Sequence, residues 1–109
     1  MLTGEIYWAD VPFRNRPGSK IRPVMVVSTR FIPTVVVLAS TSQYKPNLTH
    51  LHTVDFSSVK YSRIQAAGLR GMSYFYEENL TRLDEAQFRR FIGKMSAQDL
   101  KIILDKLDS

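Results

Sequence analysis

The 109-residue chain carries 15 Lys and Arg against 10 Asp and Glu, a formal net charge of +5, and 44% of its residues are hydrophobic. That length suits one compact domain over residues 1–109 with one core, and the charge favours anionic partners. No apolar run approaches the roughly 20 residues that cross a bilayer, and the absence of cysteine excludes a disulfide framework, a thiolate nucleophile and Cys-based metal centres. Met1 to Glu5 shows no basic region leading into an apolar one, so no secretory signal and a cytoplasmic location are expected.

The charge is unevenly placed. Between Val11 and Val54 there is no Asp or Glu, while Arg14, Arg16, Lys20, Arg22, Arg30 and Lys45 fall in that window. The anion-facing surface is expected there. From Ala67 to Ser109 seven basic residues are balanced by seven acidic ones, the pattern of a scaffold with an ordinary solvated face.

In chain order, Glu5 to Val11 is β-branched and aromatic, is bounded by Gly4 and Pro12, and reads as a strand. Phe13 to Ile21, with Asn15, Pro17, Gly18 and Ser19, has turn composition and reads as a basic loop. Pro23 to Ser28 and Thr34 to Ala39 are short, valine-rich, continuous apolar runs, which predicts two buried strands. Their short connection predicts that they pair antiparallel. A polar stretch follows Ser40. Leu51 to Phe56 then alternates as a fourth strand, Ser57 to Ala67 is ambiguous, and Ser73 to Glu77 with Asn79 to Leu83 reads as a strand pair or one bent strand. Leu83, Phe88, Phe91 and Ile92, then Leu100, Ile103, Leu104 and Leu107, recur at helical spacings, which predicts two closing helices separated by Gly93 to Met95. Ser96 is the expected N-cap of the second, with Asp99 three residues on. Short strands followed by a helical tail predict a small, strongly bent antiparallel sheet or barrel whose open side the last helix covers.

Arg22 sits at the mouth of a predicted buried strand, beside Pro23. A guanidinium fixed there can grip a phosphate by two prongs and oppose charge that builds during phosphoryl transfer; the alternative is a surface arginine at a strand end. Thr41 and Ser42 follow the second apolar run, and antiparallel pairing brings them toward Arg22. A hydroxyl there can bond a phosphoryl oxygen or orient a ribose 2′-hydroxyl, or can simply bond its own turn backbone. His50 and His52 would share a strand face, and form a poor ligand set for a metal but a reasonable exposed pair for anions. Tyr7, Trp8, Phe75 and Tyr76 can stack bases or fill the core. Glu77 and Glu78 point to opposite faces, which gives weak support for a carboxylate pair.

Gly4-Glu5-Ile6-Tyr7-Trp8-Ala9, a basic loop, Arg22-Pro23-Val24-Met25-Val26-Val27-Ser28, a strand ending in Thr41-Ser42, Gly68-Leu69 before Ser73-Tyr74, and Ile92-Gly93-Lys94-Met95-Ser96 together resemble the PemK/MazF family of toxin ribonucleases from bacterial toxin-antitoxin pairs. The resemblance implies an SH3-like small barrel, mainly β with a C-terminal helix, a homodimer, and cleavage of single-stranded RNA at preferred short sequences without metal or cofactor. It assigns catalysis to Arg22 and Thr41 with Ser42 beside them. RNA contacts are expected from Arg14, Arg16, Lys20, Gln43 and Lys45, and restraint by a cognate antitoxin whose acidic segment enters the same groove. Where many members carry an Asp-Gln pair with a nearby arginine, this chain has Glu78-Asn79 and Tyr76. The competing readings are a gyrase poison on the related CcdB-type fold and a nucleic-acid-binding module without catalysis.

Overall fold

The two valine-rich runs form the centre of the sheet in the computed structural model, which describes residues 1–109. They lie in β2 (Ser19–Ser28) and β3 (Thr34–Thr41), antiparallel, with Val24 opposite Ala39 and Val26 opposite Val37. β1 (Glu5–Pro12) flanks β2, and β5 (Met72–Asp84) flanks β3. The edges are β4 (His50–Asp55) and β6 (Phe88–Lys94), so the order is β4-β5-β3-β2-β1-β6.

Successive strand residues face opposite sides, and here both sides are covered. Met25 and Leu38 join Ile6, Phe56, Phe75, Ile92 and Ile103 in one cluster beneath the helices. Val24, Val26, Val35, Val37 and Ala39 join Ala9, Val11 and Leu83 in another, with Tyr7 and Phe88 packed against it. The expected single core is therefore two layers on either side of the central strands, which is why those strands read as continuous apolar runs.

A 3₁₀ turn (Val59–Tyr61) and the short α1 (Ser62–Ala66) fill the ambiguous segment. α2 (Ala97–Leu107) closes the chain. Ser96 Oγ accepts from the Asp99 N–H at 3.2 Å, a cap of about 1 kcal/mol, and Ile103 is fully buried, which contributes about 1.5–3 kcal/mol. No helix is long and apolar enough to cross a membrane.

Of the two readings of Ser73 to Leu83, the single strand holds. Two expectations need correction. The predicted loop is shorter, since Ser19 to Ile21 already pair with Asp10 to Pro12. The first of the two closing helices is instead the strand β6, so Gly93 to Met95 is no helix stop. The β1–β6 register slips twice, between Ile6 and Tyr7 and between Trp8 and Ala9. Each slip adds a residue to the β6 side and stretches the period of two. Phe88 and Phe91 consequently both meet Tyr7, with ring centroids 5.3 and 5.4 Å away, although they are spaced as on a helix.

Gly93 marks where β6 meets α1. A Cβ there would lie 2.7 Å from Ile64 Cγ1, closer than packed carbons tolerate. Gly93→Ala is expected to destabilise the fold by about 1–3 kcal/mol in thermal unfolding, and Gly93→Ala/Ile64→Ala, which removes the clashing γ-carbon, to lose less than the sum of the two single variants.

Candidate active site

The β2–β3 register builds the site. Continued two residues beyond the Val24–Ala39 pair, it sets Thr41 across from Arg22. Arg22 Nη2 donates to the Ser40 carbonyl at 2.9 Å, and Ser40 Oγ donates to the Pro23 carbonyl at 3.3 Å. One edge of the guanidinium is thereby fixed, while its other N–H donors stay available. Burial lowers the Arg22 pKa from its ordinary value, but an arginine in a protein stays charged. Thr41 Oγ1 accepts the Gln43 N–H at 3.1 Å. This is the turn bond expected of a strand-end hydroxyl, and it leaves the Thr41 O–H free to donate.

Arg16, Lys20, Arg22, Thr41, Ser42, Gln43 and Lys45 all line one open cleft, and no Asp, Glu or His lines it. Arg16 stacks on Phe13, 4.2 Å from the ring centroid. Arg14 is the exception among the expected contacts. It lines an adjoining groove with Arg22, Glu78, Asn79 and Thr81. That groove exists because β5 bulges: Leu38 pairs with Leu80 but Ser40 with Phe75, so Tyr76 to Asn79 have no partner on β3, and Glu78 and Asn79 line the groove with Arg22. Glu78 accepts from Thr49 N–H at 2.9 Å and Thr49 Oγ1 at 2.8 Å. These bonds hold its carboxyl below the ordinary value. Glu78 is thus an ionised acceptor that ties the β3–β4 connection to the bulge.

Arg70 also lines the cleft, with Leu69, Met72 and Ser73, and charge counting missed it because the second half of the chain is neutral. The local signal is Gly68 and Gly71. Their φ values of +100° and +81° form a turn that residues with a Cβ rarely make, and that turn presents Leu69-Arg70. Of the four aromatics considered for base stacking, only Trp8 reaches the cleft. Tyr7 packs on Phe88 and Phe91, while Phe75 and Tyr76 are buried. The histidines do not form an exposed pair: the β4–β5 register slips between them, His52 Nε2 bonds Asp99 at 2.8 Å, and His50 bonds Thr53 Oγ1 at 2.7 Å.

A six-stranded antiparallel sheet with a C-terminal helix is the PemK/MazF fold. The family of PemK-like, MazF-like toxins of type II toxin-antitoxin systems matches residues 2–109, and the chain belongs to it. Among solved structures, a mycobacterial endoribonuclease in complex with its cognate antitoxin has the same fold, with TM-score 0.67 and 21% identity over 98% of this chain and 90% of that one. No curated protein sequence matches the chain.

Proposed function

We propose that this toxin is an endoribonuclease that cleaves single-stranded RNA at preferred short sequences by transphosphorylation. The observation that carries the reading is the convergence of a braced guanidinium and a free hydroxyl, Arg22 and Thr41, in a cleft without acidic residues. The nucleophile is the substrate's own 2′-oxygen. It bonds to the adjacent phosphorus as the bond from phosphorus to the 5′-oxygen breaks, which leaves a 2′,3′-cyclic phosphate and a 5′-hydroxyl. The 2′-hydroxyl proton passes to water and the leaving 5′-oxygen takes a proton from water, while Arg22 stays charged throughout. Arg22 opposes the charge on the non-bridging oxygens, Thr41 donates to one of them, and Ser42 stands next to it.

Arg16, Lys20, Gln43 and Lys45 hold the flanking phosphates and sugars, Arg14 does so in the adjoining groove, and Arg70 joins them. The working form is a cytoplasmic homodimer, and a cognate antitoxin blocks the cleft with an acidic segment. RNA incubated with the protein in excess EDTA is expected to be cut as fast as without chelator and to carry 2′,3′-cyclic ends. Salt-sensitive RNA binding with no cyclic product would instead select a binding module, and a chelator-sensitive cut would overturn the metal-independent chemistry.

A further inference from the structure

We propose that Tyr44 and Tyr74 form a stacking platform for the nucleobase next to the scissile phosphate, an extension that rests on the ribonuclease reading above. The β3–β5 register puts Tyr74 directly opposite Thr41, and opposed residues share a face with Cβ atoms roughly 5 Å apart. The Tyr44 ring stands edge-on to Tyr74, with centroids 5.9 Å apart. Tyr44 is 64% exposed, so its ring fills no core. The pair is braced from below. Tyr76 is fully buried and lies nearly parallel to Tyr74, with 6.5 Å between centroids. Its hydroxyl accepts the Lys45 N–H at 2.6 Å, which pins the residue after Tyr44.

Lys45 lines the cleft with Thr41. Neither tyrosine lines the cleft itself; Tyr44 precedes Lys45 and Tyr74 opposes Thr41, so a strand with one phosphate at Arg22 and Thr41 and a neighbouring phosphate at Lys45 would meet the pair where it leaves the cleft. Stacking suits an unpaired strand, because every base offers a π-face. Phe31 is also exposed, but it lies in the β2–β3 connection, at the opposite end of both strands from Arg22 and Thr41.

The test begins with the RNA site that the wild-type protein cuts. A 5′-labelled oligonucleotide of that sequence, with one 2′-deoxynucleotide at the cleaved position, cannot react, and its binding is read by anisotropy. Tyr44→Ala is expected to weaken binding about 5- to 150-fold, the range that base–aromatic stacking spans, and Tyr44→Phe to change it little. In a series with one abasic position at a time, one position should weaken wild-type binding by a similar factor and have no further effect on Tyr44→Ala. Equal binding by Tyr44→Ala and wild type, or the same abasic loss in both, overturns the platform and leaves the ribonuclease reading intact. A wild-type protein that cuts no RNA removes that reading and the platform with it.

Discussion

Arg22→Ala is expected to lower RNA cleavage by at least about 10²- to 10³-fold, the usual cost of removing one group aimed at transition-state charge. Lysine cannot both hold the Ser40 carbonyl and present a flat, two-pronged edge to the phosphate, so Arg22→Lys should recover only a small part of the rate. Thr41→Ala should also lose activity, and Thr41→Ser should retain most of it, because a serine hydroxyl accepts from Gln43 and donates outward in the same way. If the two groups act on one phosphate, the double variant should be far less impaired than the product of the single losses. The folding control matters for Arg22, since its removal leaves a strand-end carbonyl without a partner at about 1–3 kcal/mol. Rates should therefore be compared well below each variant's unfolding temperature. Cleavage at the wild-type rate by both Arg22→Ala and Thr41→Ala would refute the assignment.

That site was legible because it depends on little more than two short strands and the connection between them. Valine-rich runs ending at Ser28 and beginning at Thr34 leave room for a tight connection only, and antiparallel pairing then carries Arg22 and Thr41 to the same end of the sheet. The adjoining groove was not legible, because it is made by a bulge in β5, and no periodicity in Tyr76 to Asn79 announces the slip. β6 was misread for a related reason. Two bulges turned a strand's alternation into a spacing that a helix would also produce. Tyr44 lies in a polar stretch where composition indicates only a loop, and its role depends on a neighbour 30 residues later. Arg70 required knowing that a turn folds back onto strand ends contributed by the other half of the chain.

Asp99→Asn is expected to cost about 3–5 kcal/mol of stability at pH 7, the range for breaking a buried charged pair, and to lower the unfolding midpoint by more than about 10 °C. Asp99 is buried and gathers four donors from separate parts of the fold: Tyr61 Oη at 2.6 Å, His52 Nε2 at 2.8 Å, Ser96 Oγ at 2.9 Å and Lys60 Nζ at 2.9 Å. It thereby ties the start of α2 to β4 and to the 3₁₀ turn. Burial alone would raise its pKa, but the bonds from Tyr61, His52, Lys60 and Ser96 outweigh that and hold the carboxyl well below the usual range. Burial, together with donation to Asp99, pushes the Tyr61 hydroxyl up to about 12, so it remains a donor across the working pH range. A carboxyl that binds its proton less readily folded than unfolded stabilises the fold fully above its unfolded pKa of about 3.9, and that contribution is lost as pH falls through the folded value. The gap in unfolding free energy between wild type and Asp99→Asn, read by urea titration, should therefore be constant from pH 7 to about 5 and narrow as the pH falls to 3. A gap that is absent at pH 7, or that stays the same down to pH 3, would show that the four donors hold the helix without needing a charge at their centre.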